Sequence, residues 1–396
     1  MRQILKEFLN APRYSIGVRF LVTLCLIRKA VIFMGEFNRK FMERAIELAK
    51  KGEGFVNPNP LVGAVIVKNG KIIGEGCHEK YGHAHAERNA IRNCKEDMTG
   101  AEIYVTLEPC CHYGKNPPCT EAIIKSGIRK VYVGSSDPNP LVAGKGIQQL
   151  RAAGIEVVEN IMKEECDALN YIFFHYITTK RPYVILKTAM SADGRTAAYT
   201  GHSRWITNEF SRQDVHRTRK KAAAIMVGLG TVFADDPMLN CRCENPSNPI
   251  RIICDSNLRT PKSSKLVRTA RDIPTYIATQ SQDKELLAAF QSKGVNIIHM
   301  PVNTFDIDLN CLMDKLGEMG IDSVIIEGGA SLHTSALKAG IVNKIQMYIA
   351  PKIIGKEGIS AFGPMGIKRV DECYELGSPK ITMFGDDILV EYDVKV

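Results

Sequence analysis

The 396-residue sequence predicts an α/β protein built from two domains. Three observations point there. Segments of helical periodicity alternate with short apolar runs of strand length, the pattern restarts near Arg181 after a polar join, and the chain is too long for one core of ordinary size. The join, ITTKRP over residues 177–182, is the predicted linker.

In the first half, FNRKFMERAIELAKK sets Phe41, Ala45, Ile46, Leu48 and Ala49 at helical spacing, and Gly52 stops the helix. LVGAVIVKNGKIIGEG reads as two strands joined at Asn69-Gly70, a dipeptide that tolerates the positive φ angles of a tight hairpin turn. HAERNAIRNC then reads as a helix, EIYVTLEPC as a strand, TEAIIKSG as a helix and KVYVGSSDPNP as a buried strand entering a loop. GIQQLRAAG is a helix and IEVVEN a strand, so helices and buried strands alternate as in a three-layer domain. In the second half, PYVILKTAMSADG is a strand running into a polar loop, and AAAIMVGLG, IRIICD and TYIAT are further buried strands. DSVIIEGGASLHTSALKAG follows as strand, glycine loop and helix. No internal repeat or low-complexity segment interrupts this order.

Twelve cysteines without a regular spacing or a signal-peptide cleavage pattern fit the reduced thiols of a cytoplasmic protein. The net charge of +9 divides unevenly: Arg2, Lys6, Arg13, Arg19, Arg28 and Lys29 against Glu7 leave only +4 for everything from Met34 onward. That mild basicity suits phosphorylated small molecules better than nucleic acid. The apolar run FLVTLCLI, residues 20–27, is far shorter than the roughly 20 residues of a membrane span. Residues 1–33 are therefore expected to be an extension upstream of a natural start at Met34, outside both domains, with a short interfacial or docking helix as the alternative.

Chemistry concentrates in GCHEKYGHAHAE, residues 76–87, and EPCCHYGKNPPC, residues 108–119. The order H-x-E, then P-C, then a second Cys opening a helix is that of zinc deaminases. One His and two Cys leave a fourth tetrahedral position for a water of lowered pKa, and a carboxylate outside the ligand set can shuttle its proton. Glu87 is placed for that task. Cys110 ends a strand, whereas Cys119 opens a helix whose dipole favours thiolate. Because the neighbours Cys110 and Cys111 point apart, the expected ligands are His85, Cys110 and Cys119, with Cys111 structural. A structural knot would recruit a fourth ligand, for which His112 and Cys111 are available. Cys241, Cys243 and Cys254 have no His or fourth Cys at ligand spacing and are not read as a second metal site.

NPNPLVGAVIV, GCHEKYGHAHAE, TLEPCCHYGKNPPC and SSDPNPLVAGKG together resemble the bifunctional riboflavin-biosynthesis deaminase/reductase of bacteria, over about residues 34–396. Eight residues separate Cys110 from Cys119, whereas the simpler tRNA and nucleotide deaminases usually carry PCxxC. The resemblance implies a cytidine-deaminase-like three-layer domain over residues 34–179, with one zinc ion, and a dihydrofolate-reductase-like, NADPH-dependent domain over residues 180–396. It places Asn59 at the pyrimidine edge and His78, Lys115, Asp137 and Asn139 around base, ribose and phosphate. Lys115 lies between the ligand cysteines and offers a cation to phosphate, and Asp137 and Asn139 follow a buried strand, where α/β folds put ligand loops.

In the second half KTAMSADGRTA, GHSRWITN, the ADDPMLNCR run and EGGASL resemble the reductase of the same family. No G-x-G-x-x-G opens a helix, and that fold binds its cofactor without one. The resemblance implies NADPH contacts at Ala189, Trp205, Thr231, Asp235, Gly328, Gly329 and Ala330. It implies substrate contacts at Ser203, Arg219, Leu239, Arg242 and Glu327, with Lys187 and Glu327 near the sugar carbon that is reduced. Arg219 and Arg242 suit a phosphate because guanidinium binds it bidentately, and Arg259 is a candidate for the 2′-phosphate of NADPH. The implied partners are phosphorylated pyrimidines, with no nucleic acid and no membrane, in a homo-oligomer (dimer or tetramer) joined through the reductase half. The alternative is an RNA or nucleotide base deaminase with an appended domain, against which stand the +4 charge and the absence of a basic stripe.

Overall fold

The computed structural model describes residues 39–114, 116–139, 142–302 and 306–394. The expected extension over residues 1–33 and the candidate Lys115 lie outside the described residues.

The first half is built on a five-stranded sheet in the order β2-β1-β3-β4-β5. Helix α1 (Arg39–Ala49) precedes the hairpin of β1 (Gly63–Lys68) and β2 (Lys71–Cys77), whose turn places Asn69 and Gly70 at φ 52° and 75°. Then follow α2 (Ala86–Asn93), β3 (Glu102–Leu107), α3 (Cys119–Lys125), β4 (Lys130–Ser135), α4 (Lys145–Ala152) and β5 (Glu156–Val158). Helices α5 (Lys163–Leu169) and α6 (Tyr171–Thr179) close this half. One sheet face packs Phe41, Met42, Ala45 and Cys166 of α1 and α5 against Val65, Tyr104 and Tyr132, and the other packs Ala86, Ala90, Ile123, Ile147 and Leu150 of α2, α3 and α4 against Ile66, Ile103 and Val131. The layers are therefore helix, sheet, helix. The first half of the predicted linker is the last turn of α6, which Lys180 ends in the left-handed conformation at φ 61°.

The second half has a nine-stranded sheet in the order β11-β10-β9-β8-β12-β6-β13-β16-β15. Its strands and helices run β6 (Tyr183–Ser191), β7 (Arg195–Ala197), α7 (Glu209–Lys221), β8 (Ala224–Gly228), α8 (Leu229–Asp235), β9 (Ile250–Cys254) and α9 (Lys265–Arg268). After these come β10 (Thr275–Thr279), α10 (Lys284–Gln291), β11 (Asn296–His299), α11 (Leu309–Glu318), β12 (Ser323–Glu327) and α12 (Ala330–Lys338). Strands β13 (Lys344–Ala350), β14 (Ile359–Ser360), β15 (Lys380–Phe384) and β16 (Asp387–Asp393) complete it. From β11 to β13 the neighbouring strands are parallel, and β16 runs antiparallel to both its neighbours. Parallel strands buried on both faces explain the near-continuous apolar runs AIMVG, IRIIC and SVIIE.

The halves touch through polar groups. Asn57 Nδ2 donates to both carboxylate oxygens of Asp322 at 3.0 and 2.9 Å, and the Tyr176 hydroxyl donates to the Gly317 carbonyl at 3.0 Å. Among the described residues no helix is long and apolar enough to cross a membrane.

Candidate active sites

Adjacent parallel strands set up the first site. In β3 and β4, Leu107 pairs with Ser135, so the loops leaving both strands emerge side by side and bring Cys110 toward Asp137. Glu108, which sequence reasoning missed, fixes this arrangement: its carboxylate accepts from the amides of Asp137, Gly144, Gly146 and Ile147 at 3.0 to 3.4 Å. A carboxylate taking successive amides at the start of α4 is a helix cap, but the sequence carries no periodic signal for a cap that comes from another strand.

The third element is α2. His85 is its N-cap residue, and Glu87, in its first turn, is buried. The helix lies so close to β2 that a Cβ on Gly76 would come within 2.3 Å of the Ala90 amide nitrogen and 2.4 Å of the Ala86 carbonyl oxygen. That contact sets His85 against the cysteines. Its Nδ1 is 3.4 Å from both Cys110 Sγ and Cys119 Sγ, and the three ligand atoms lie within 4.8 Å of one another. Among the described residues this is the one cluster of three or more such groups able to hold a metal ion, and neither Cys111 nor His112 belongs to it. One imidazole and two thiols within reach of a single ion fit zinc with a fourth position left over. The Cys119 amide donates to Cys110 Sγ at 3.4 Å, and a hydrogen bond from the Cys119 thiol, with His85 adding to it, holds Cys110 well below the usual thiol range. Burial, followed by the charge on Cys110, pushes Glu87 up to about 7.

A cavity of about 330 Å³ opens onto His85, Glu87 and Cys110, and Asn59, His78, Asp137 and Asn139 line the same space. His78 Nδ1 faces the Ala84 carbonyl at 3.1 Å, which can only accept. The proton therefore sits on Nδ1, and Nε2 accepts from Asn59 Nδ2 at 3.1 Å. Burial lowers the His78 pKa and raises that of Asp137 to about 6. Tyr81, Phe173 and Tyr176 add an aromatic rim, the last two from α6, a helix the sequence pattern did not assign. His112 lines the cavity too, and its buried Nδ1 has no hydrogen-bond partner among the described residues.

The second site gathers at the carboxyl end of β12 and the middle of β6. Glu327 and Lys187 are paired in register across β12 and β6, with Nζ 3.5 Å from Oε2. Arg219 of α7 grips Glu327 bidentately at 2.6 and 2.9 Å and donates to the Asn240 carbonyl at 3.0 Å. Burial works against the charge on Glu327, yet Arg219 and Lys187 together hold it down to about 2. Burial also lowers the pKa of Lys187. The expectation that Arg219 faces a phosphate therefore meets a guanidinium already engaged by a buried carboxylate. Arg242 is differently held. Its Nε and Nη2 lie 3.1 and 3.0 Å from His216 Nε2, and both residues line a cavity of about 800 Å³ with Trp205, Arg212 and Lys220. Burial and then the Arg219 and Arg242 charges push His216 down to about 4, so it stands neutral beside them. No motif in the sequence singles out His216.

Trp205 is 61% exposed, with the Arg212 guanidinium 4.5 Å from its ring centroid, so it is no part of a core. After β12, Gly328 and Gly329 adopt φ 108° and 81°, and a Cβ on Gly328 would stand 2.7 Å from Thr231 Oγ1. The resulting cradle ends at the start of α12, where unpaired amides favour an anionic group. Buried His333 pins it: Nδ1–H donates to the Ala361 carbonyl at 3.0 Å, and Nε2 accepts from the Gly328 amide at 3.3 Å. Asp235 ends α8, and its carbonyl accepts from Arg204 at 3.1 Å. Ala189 lies on β6 beside the buried cluster of Val215, Tyr348 and Leu389. Ser203 is half-buried two residues before Trp205. Leu239 packs its side chain into the core, and its backbone takes the left-handed conformation at φ 50°.

Comparison with known proteins finds matches to both halves. Residues 36–135 match the cytidine and deoxycytidylate deaminase zinc-binding region, and residues 182–390 match the RibD C-terminal domain. The riboflavin biosynthesis protein RibD of Actinobacillus pleuropneumoniae is 55% identical over 355 residues, covering 89% of this chain and 94% of that protein. RibD of Aquifex aeolicus is 44% identical over 356 residues, covering 90% and 98%. Among solved structures, Acinetobacter baumannii RibD matches with a TM-score of 0.81 at 37% identity, over 90% of this chain and 99% of that one. A diaminohydroxyphosphoribosylaminopyrimidine deaminase/5-amino-6-(5-phosphoribosylamino)uracil reductase from Thermotoga maritima matches with a TM-score of 0.81 at 38% identity, over 90% and 98%.

Proposed function

The chain belongs to the RibD family of riboflavin biosynthesis proteins, and from that premise we propose how its two halves divide the chemistry. It is a bifunctional enzyme, a deaminase and a reductase on one chain. The deaminase occupies residues 34–179 and removes the 2-amino group of 2,5-diamino-6-ribosylamino-4(3H)-pyrimidinone 5′-phosphate. The reductase occupies residues 180–396 and converts the ribosyl group of the product to ribityl. The observation that carries this reading is one cavity holding His85 and Cys110 of the ligand cluster, Glu87 and the four predicted contacts Asn59, His78, Asp137 and Asn139.

His85, Cys110 and Cys119 would hold one zinc ion, which would supply a water of lowered pKa. Glu87, buried and poised near neutrality beside these ligands, is the group that would carry a proton to the leaving amine. His78 and Asn59 orient the pyrimidine edge, and Asp137, Asn139 and Lys115 hold the sugar-phosphate side. In the other half, Trp205, Thr231, Ala189, Asp235 and the 328–330 loop would hold NADPH, which would supply a hydride. Arg242 receives the substrate phosphate, with Ser203 and the Leu239 main chain beside it. Glu327 keeps Arg219 and Lys187 in place, and Lys187, its proton loosened by burial, donates to the sugar oxygen. A cytoplasmic homo-oligomer, dimer or tetramer, belongs to the same reading. The alternative of an RNA or nucleotide base deaminase with an appended domain is not favoured, because RibD proteins match across both halves.

The order of steps is tested by following NADPH oxidation with two starting compounds. The deaminated pyrimidine should be reduced at once and the diamino compound only after a lag. Immediate and equal oxidation with both would contradict the division.

A further inference from the structure

The sequence CRC, residues 241–243, puts two cysteines on either side of the arginine assigned to the reductase substrate. Cys241 Sγ and Cys243 Sγ stand 3.1 Å apart, and neither belongs to the metal cluster. Cys241 is buried and anchored, its amide donating to Asn248 Oδ1 at 2.9 Å and its thiol to the His216 carbonyl at 3.3 Å. Cys243 lines the 800 Å³ cavity, where a dissolved reagent can reach it. Between them, Arg242 rests on the same histidine, its guanidinium 3.0 Å from His216 Nε2. One thiol and one arginine thus rest on a single residue of α7.

We propose that Cys241 and Cys243 form a reversible disulfide site, and that closing it withdraws Arg242 from the reductase cavity. Two residues of extended chain span at most about 7 Å between Cα atoms, so a bend at Arg242 brings the pair inside the range that a disulfide bridges. The oxidant is a small-molecule disulfide such as oxidised glutathione. The Cys243 thiolate attacks one of its sulfurs and expels the first glutathione as thiolate. Cys241, losing its proton to solvent, attacks the Cys243 sulfur and expels the second. One S–S bond forms between the cysteines, the glutathione disulfide bond breaks, and two electrons pass from the cysteines to the two released glutathiones. Closure draws the sulfurs from 3.1 Å to about 2.05 Å and removes the proton that Cys241 shared with His216. The chain at Arg242 must turn with it. Burial and the hydrogen bond to Cys241 raise the Cys243 thiol, so closing speeds up as pH rises.

The effect on catalysis rests on Arg242 as a substrate contact, whereas the disulfide itself does not. Full-length, zinc-loaded protein is equilibrated with oxidised and reduced glutathione, alkylated and digested with trypsin. Cleavage after Arg242 releases two peptides that stay tethered only if the disulfide has formed. The expected result is a tether that dithiothreitol dissolves, together with a reductase KM for the phosphorylated pyrimidine raised about 10- to 100-fold, the size expected for losing a hydrogen bond to a charged group. The deaminase rate of the same sample stays constant, and Cys243→Ser shows neither tether nor redox response relative to its own reduced rate. Alkylation of both thiols at every glutathione ratio would overturn the site. A tether with unchanged KM would overturn the coupling. Reduced Arg242→Ala separates the two readings: an unchanged KM there refutes Arg242 as a substrate contact and leaves the tether result standing.

Discussion

Two buried glutamates, Glu87 in the first half and Glu327 in the second, are driven in opposite directions by their surroundings. Burial followed by the Cys110 charge raises Glu87 to about 7, whereas Glu327, equally buried, is held at about 2 because Arg219 and Lys187 outweigh the burial. The difference separates two uses of a carboxyl group. A group poised near neutrality can take and return a proton at little cost, and a group locked as an anion can only hold cations in place. In the function proposed here, the same residue type serves proton transfer in the deaminase and positioning in the reductase.

The contrast breaks first at the metal cluster. Cys110→Ser or Cys119→Ser should lose zinc and about 10³-fold or more of the deaminase rate while the reductase continues, as measured by metal content and separate assays of the two steps. Cys111→Ser should keep its zinc, and the reverse pattern would reassign the ligands. Glu327→Gln leaves Arg219 and Lys187 without their buried partner. It should cost about 3–5 kcal/mol of stability in denaturant unfolding and impair only the reductase. The interface comes next. Asn57→Ala removes both hydrogen bonds to buried Asp322 and should cost about 2 kcal/mol, read from the same unfolding curves.

The smallest effect is on pH dependence, where the halves should differ in sign. The folded-state pKa of Asp137 is raised to about 6, so its contribution is complete below its unfolded value and is lost as pH rises through 6. Wild type should thus lose about 1–2 kcal/mol relative to Asp137→Asn between pH 4 and 7, discounted for residual solvation. Glu327 is depressed instead, so its contribution is present above 4.5 and lost only as pH falls through about 2. It should add no slope between pH 5 and 8.

The elements with a strong local signal were legible in the sequence. The Asn69-Gly70 hairpin, the apolar parallel strands and the H-x-E, P-C, C order each follow from a short-range physical rule. Other elements carried no such signal. Helix α6, YIFFHYITT, is rich in aromatic and β-branched residues that favour strands, and its helical state depends on packing beside the cavity. Helix α7 buries Ser211, Val215, His216 and Thr218, a face too polar to show as periodicity. Strands β13, β15 and β16 went unassigned because one edge alternates only weakly, with most of β15 facing solvent. Glu108 and His216 act through tertiary contacts that join segments distant in sequence, so their neighbours in the chain do not reveal them. For Arg219, residue type suggested phosphate, and only the fold shows its guanidinium spent on Glu327.

The central claim is that two independent centres share one chain, with Glu87 moving protons in only one of them. The direct measurement is NADPH oxidation by zinc-loaded Glu87→Gln, supplied in turn with the diamino and the deaminated pyrimidine. Oxidation at the wild-type rate with the deaminated compound, and a rate reduced about 10²- to 10⁴-fold with the diamino compound, is the predicted result. Unimpaired oxidation with the diamino compound, or loss of oxidation with the deaminated one, would contradict it.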